Sequence, residues 1–152
     1  MTMSQPIVIL DSSALIAQIN VNDLWHKKAD AIATVIANTD RHVILPSEVF
    51  AETLNRIGNN IGRQAAVLAG HALLERDATG DILLTHSTPS LAAAALELLD
   101  TVAAPPDKRP SFVDCLVMAT ANANQTREIF GFDAVFAKNG YFLPGASEQK
   151  AA

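Results

Sequence analysis

At 152 residues the chain has the length of one domain, enough to bury a core without disulfide or metal staples. Apolar residues make up 49% of it and charged ones 18%, which excludes a disordered chain, and the single cysteine, Cys115, excludes an internal disulfide. The formal net charge of −5 argues against a nucleic-acid binder that works by bulk positive potential.

Residues 1–6 carry no basic cluster, and the apolar run that follows stops at Asp11. It is too short for a signal peptide or a membrane span, so the cytoplasm is the expected location. Pro6 to Leu10 (PIVIL) is a β-branched run that reads as a strand buried on both faces. Ser12 or Ser13 can then cap a short helix reaching Ile19. Residues 24–38 place Leu24, Ala29, Ile32, Ala33 and Ile36 at helical spacing. His42 to Leu45 reads as a second strand closed by Pro46, and Ser47 opens a helix to about Ile57 that Gly58-Asn59-Asn60 should end. Residues 61–76 read as helix, 82–85 as a third strand and 90–102 as a helix of strong formers. Residues 103–110 are a loop. Ser111 caps a helix over 112–124, with Asp114 completing a Ser-x-x-acid capping pattern. Residues 127–132 form a fourth strand and 141–143 a short fifth; the domain spans 1–145 and 146–152 reads as a disordered tail.

Strands alternating with helices imply an α/β protein with a parallel sheet covered on both faces, and such sheets bind ligands beyond the carboxyl ends of their strands. Asp11 directly follows the first strand and Asp133 the fourth. Asp114 lies in the first turn of its helix, and Glu52 on the helix after the second strand. Singly, each has an ordinary explanation: a first-turn acid, a solvated helix Glu like Glu48, a turn-forming Asp. As a set, carboxylates brought within a few ångströms raise one another's pKa, and a divalent cation removes that penalty. All-oxygen ligation suits Mg²⁺ or Mn²⁺, which can drive phosphodiester hydrolysis. Without those four acids, 16 acidic residues become 12 against 11 basic ones, so the negative balance says little against a nuclease.

ILDSSALIA, SEVFAETLNRI, SFVDCLVMATA and FGFDAVFAKNGY resemble, in order, the four acidic motifs of PIN-domain proteins, and in particular the toxins of VapBC toxin–antitoxin pairs. The likeness runs from Ile7 to Tyr141. It implies a three-layer α/β/α sandwich with a mainly parallel sheet and a Mg²⁺- or Mn²⁺-dependent endoribonuclease acting on RNA. Asp11, Glu52, Asp114 and Asp133 match the metal-holding acids, and Ser13 falls where the family often has a hydroxyl or amide near the metal. It also implies a small antitoxin partner whose helix would lie between helices 24–38 and 47–57. Homodimers are common in the family, though no surface stripe in the sequence marks a dimer face. The chain departs from the pattern at Gly131, where the family often has Thr or Ser, and at Cys115, where a small alanine is common. His26 falls in a segment where the family often carries His, and a helix-surface or capping role accounts for it. Lys108, Arg109 and Lys138 lie near the acids as RNA contacts or ordinary loop charges.

Two other classes place Asp at a strand end. A receiver-like phosphoacceptor needs a pair of adjacent acids there, which Asp11-Ser12-Ser13 lacks. A dehalogenase-like phosphatase needs Asp-x-Asp, and Ser13 stands at the second position. Within the resemblance, the alternatives are a housekeeping RNA-processing nuclease and a non-catalytic binding scaffold; the retained set of four acids argues against the scaffold.

Overall fold

The computed structural model describes residues 5–146. Four strands form one parallel sheet: β1 (Ile7–Leu10), β2 (His42–Pro46), β3 (Leu83–Thr85) and β4 (Glu128–Phe130), in the order β3-β2-β1-β4. The helices are α1 (Ser12–Ile19), α2 (His26–Asn38), α3 (Ser47–Asn60), α4 (Arg63–Ala78), α5 (Pro89–Thr101), α6 (Phe112–Ala123) and α7 (Ala134–Lys138). The result is the three-layer α/β/α arrangement expected.

β1 is the hinge of the topology. β2 and β3 are added on one side of it and β4 on the other, with Leu10 opposite Phe130. The carboxyl ends of β1 and β4 therefore flank the point where strand order reverses, the place where such sheets open a crevice. Val8, Ile9, Leu10, Ile129 and Phe130 are all buried, as a strand covered on both faces requires. α6 is the most buried helix, with every residue from Asp114 to Ala121 inside, so its acid enters the interior with it.

Several boundaries differ from the sequence reading for local reasons. α1 is capped by Asp11 itself and not by Ser12 or Ser13: the Asp11 carboxylate accepts the Ser13 N–H at 3.2 Å. α2 begins only at His26, because Asp23 folds the preceding chain back by accepting the Trp25 N–H at 2.8 Å; Leu24 is 89% exposed and belongs to no stripe. α3 runs through Gly58, Asn59 and Asn60, and the stop is at Gly62, whose φ of +144° favours glycine. β4 ends at Phe130, so Asp133 lies three residues beyond it, where it caps the unexpected α7 by accepting the Val135 N–H at 3.1 Å. The fifth strand reduces to one bridge between Phe142 and Glu128.

Behind the sheet, Arg41 donates two 2.8 Å hydrogen bonds to the Glu128 carboxylate, which also accepts the Gly145 N–H at 3.3 Å. Gly145, the last residue assigned to the domain, is buried and fastened by this bond; of the expected tail over 146–152, residues 147–152 lie outside the described residues. Among the described residues, no helix is long and apolar enough to cross a membrane.

Candidate functional site

All four acids singled out in the sequence line a single cleft of about 260 Å³ at the carboxyl edge of the sheet. Ser12, Ser13, Trp25, Arg56, Lys108 and Phe132 share its walls. Glu48, four residues before Glu52, is not among the lining residues and accepts a hydrogen bond from its neighbour Ser47 at 3.1 Å.

Asp11 is brought in by the end of β1, whose pairing carries through to an Asp11 N–H bond to the Phe130 carbonyl at 3.0 Å. Its side chain is almost wholly buried, at 2% exposure. Oδ2 accepts from the Ser13 hydroxyl at 2.7 Å, and that hydroxyl in turn accepts the Phe132 N–H at 2.9 Å. Ser13 thus ties β1's acid to the chain leading to Asp133. Oδ1 is buried with no hydrogen-bond partner. A buried carboxylate oxygen left this way is costly unless something outside the chain meets it.

The electrostatics agree. Burial, with Asp114 and Glu52 adding like charge, pushes the Asp11 pKa up to about 6 against the Ser13 hydrogen bonds that lower it. Burial raises the Asp114 carboxyl as well, with Asp133 contributing repulsion. Asp114 is delivered by the capping box: it accepts the Ser111 N–H while Ser111 accepts the Asp114 N–H, each at 3.0 Å. The capping role and the cleft position belong to the same side chain.

Glu52 accepts the Ser12 hydroxyl at 2.7 Å, and Arg56, one turn further along α3, donates to that hydroxyl at 3.3 Å. Lys108 reaches in from the loop before α6 and pairs with Asp133. That contact, helped by the charges of Asp114 and Asp11, raises the lysine's pKa. As the side chains stand, each acid leans on its own neighbour, and no group of three or more His, Cys, Asp or Glu among the described residues is gathered tightly enough to hold an ion. The donor set nonetheless suits a hard divalent cation: it is all oxygen, mutually repelling and partly dehydrated, with one orphaned atom in Asp11 Oδ1.

Gly131 departs from the family pattern for a reason of space. A Cβ there would lie 2.7 Å from Asp11 Cβ and 3.0 Å from the Phe136 ring, so no side chain fits. The Ser13 hydroxyl makes the link between the two strand ends instead. Cys115 is buried in the core, as expected. His26 does not line the cleft; its Nδ1 donates to the Ala17 carbonyl at 2.7 Å, pinning the start of α2 to α1.

Sequence reasoning missed Arg56, Trp25 and Phe132. Arg56 was within reach, since i+4 from Glu52 lies on the same helical face. Trp25 was hidden by the assumption that residue 24 was already helical. The groove expected between the two helices is not where exposed apolar bulk lies: Ile19, Val21, Leu24 and Trp25 belong to the end of α1 and the link to α2, Val67, Leu68 and Leu74 to α4, and Leu96 and Leu99 to α5.

Two likenesses place this geometry among known proteins. The family described as PIN domain matches residues 8–140 of the chain. Among solved structures, the VapC20 toxin of Mycobacterium tuberculosis, described as cleaving the sarcin-ricin loop, superposes with a TM-score of 0.74 at 24% identity. The match covers 89% of this chain and 96% of that one. No curated protein matches the chain by sequence.

Proposed function

The chain belongs to the PIN-domain family, and from that premise we propose that it is a divalent-metal-dependent endoribonuclease, the toxin of a toxin–antitoxin pair. One observation carries the catalytic part of the reading: four carboxylates line one cleft at the strand-order reversal, and the most buried of them presents an oxygen with no partner in the protein. The likeness to a toxin that cleaves an RNA loop supports the toxin part.

Asp11, Glu52, Asp114 and Asp133 are the groups that would hold Mg²⁺ or Mn²⁺. When bound, the ion supplies positive charge to the phosphoryl oxygens and acidifies a water at neutral pH. The protein does the rest. Ser13 fixes Asp11 through Oδ2 and leaves the buried Oδ1 without a hydrogen-bond partner. Ser12 and Arg56 hold Glu52 by a relay of two hydrogen bonds, so its position does not depend on the ion alone. Lys108 neutralises Asp133 in the free protein, and on release it is placed to pair with an RNA phosphate.

The test is cleavage of an RNA pool by the purified protein with and without Mg²⁺ or Mn²⁺, with a ribosomal stem-loop among the substrates. Glu52→Gln should cut the rate on the order of a hundredfold, the loss expected when a metal-site interaction is removed. Glu48→Gln, outside the cleft, should leave it within about twofold of wild type. Equal losses would show that the cleft does not single out Glu52.

The toxin assignment has its own expected result. Production of this chain alone in bacteria should arrest growth, and the Asp114→Asn variant, expressed to the same level, should not. Normal growth with well-expressed, folded wild-type protein would remove the toxin assignment and leave the nuclease one to the RNA assay.

A further inference from the structure

The cleft has one wall that phosphate chemistry does not need. Trp25 stacks on Phe132 with ring centroids 5.0 Å apart and planes 9° from parallel. Phe132 is held from two sides: its ring meets Phe130 edge-on at 6.1 Å, and its N–H is fixed by the Ser13 hydroxyl that also binds Asp11. It sits directly before Asp133. The stack is therefore coupled to the acids through backbone and hydrogen bonds, and is no loose surface contact.

Trp25 is the only tryptophan in the chain, and it is 41% exposed on the edge of the acidic cleft. A tryptophan used only for packing would turn this area inward. The Lys28 ammonium lies over its ring, 5.4 Å from the centroid, and lines the adjoining hollow with Trp25, Phe132 and Asp133, whereas Arg56 and Lys108 stand on the wall of the acidic cleft itself. A flat aromatic shelf beside movable cations is complementary to a nucleotide: base on the ring, phosphate on the ammonium.

Building on the endoribonuclease reading, we propose that the Trp25–Phe132 stack is a base-stacking subsite for a single-stranded RNA nucleotide next to the scissile phosphate, with Lys28 holding the adjoining phosphate. Stacking on a π-face is tolerant of sequence, so the subsite favours an unpaired, splayed base over a particular one. Double-stranded RNA keeps its bases in the helical stack and cannot use it. The shelf thus selects loops and unpaired segments, while specificity for a given loop lies elsewhere.

Because Trp25 is the sole tryptophan, its fluorescence reads this subsite alone. In the Asp11→Asn background with Mg²⁺, a short oligoadenylate should quench the emission, and an abasic ribose-phosphate oligomer of equal length should not. By anisotropy of an end-labelled oligoadenylate, Trp25→Ala should bind about tenfold more weakly or worse, and Trp25→Phe should retain most of the affinity. Trp25→Leu keeps apolar bulk without a π-face and should bind like the alanine variant, which decides the matter if the alanine variant fails to fold. In the active protein, Trp25→Leu should raise KM for a single-stranded substrate with kcat little changed. Equal binding by wild type and Trp25→Leu, or equal quenching by the abasic oligomer, would overturn the subsite even if the wild-type protein cleaves RNA. Absence of cleavage under every metal condition would strike the endoribonuclease reading instead, and leaves the binding arms to judge the shelf.

Discussion

Replacing Asp11 by Asn is expected to abolish metal-dependent RNA cleavage and, at the same time, to make the metal-free protein more stable at neutral pH. The carboxylate is buried, with one oxygen unpartnered and two acids nearby, and these push its pKa up to about 6 from the ordinary 3.8. Ionised Asp11 is therefore costlier in the folded chain than in the unfolded one. The sign follows from proton linkage. Between about pH 4 and 6 the folded state binds more protons than the unfolded state, so stability falls as pH rises through that window. The penalty is absent below it and complete above it. At roughly 1.4 kcal/mol per unit, a shift of this size corresponds to about 2–3 kcal/mol, and asparagine removes it while the Ser13 hydroxyl can still donate to the amide oxygen. Against this stands the amide nitrogen left near the unpartnered Oδ1 position, so a net gain of about 1–2 kcal/mol, or roughly 3–6 °C in Tm, is expected. The gap between variant and wild type should open from pH 4 to 6 and stay constant above. Millimolar Mn²⁺ or Mg²⁺ should reverse the order, raising the wild-type Tm by binding only the folded state and leaving the variant nearly unmoved. Calorimetry across pH, with and without metal, checks each part. A variant less stable than wild type at pH 7 in chelator, or equally shifted by metal, would show that Asp11 is an ordinary cap.

What made the fold legible was the pairing of short β-branched runs with acids at their ends. PIVIL stopping at Asp11 could be read as a strand feeding a crevice because an acid directly ending a buried apolar run is seldom placed for solubility, although here it also caps α1. The capping box at Ser111 and Asp114 was equally readable, since its two hydrogen bonds are local in sequence. Less visible was anything decided across the sheet. The end of β4 depends on where Phe130 loses its partner opposite Leu10, so α7 and its cap Asp133 could not be separated from the strand by pattern alone. The stop of α3 was misplaced because Gly58 packs against Ala66 from the next helix and tolerates helical geometry, whereas only Gly62 takes a positive φ. Likewise the four acids were recognisable only as a set, while Lys108 on Asp133 and Arg56 on the Ser12 hydroxyl are contacts between distant segments, and the aromatic shelf needed Trp25 and Phe132 to meet across more than a hundred residues.

Gly131→Ala is expected to damage the site more than its single methyl suggests. The new Cβ would stand 2.7 Å from Asp11 Cβ and 3.0 Å from Phe136 Cε2. Neither neighbour can yield cheaply: Asp11 directly follows β1 and its N–H is held by the Phe130 carbonyl at 3.0 Å, and the Phe136 side chain is buried in the core. Overpacking of this kind costs about 1–3 kcal/mol. The strain should relieve itself by driving the ends of β1 and β4 apart, which breaks the Phe132 N–H to Ser13 to Asp11 chain and moves Asp11 relative to Asp133. A displacement near 1 Å at reacting groups is worth about a hundredfold in rate. RNA cleavage should therefore fall on the order of a hundredfold while the protein remains folded, with Tm lower by several degrees. The metal-dependent rise in Tm should shrink as well, because the Asp11 and Asp133 carboxylates would no longer face the same ion. Serine, which with threonine is what the resemblance leads one to expect at this position, should fare no better here, since its Cβ meets the same two atoms before its hydroxyl can bond to anything. If Gly131→Ser cleaves RNA as fast as wild type with an unchanged Tm, the two strand ends are softer than the 2.7 Å approach implies and the Ser13 link is dispensable.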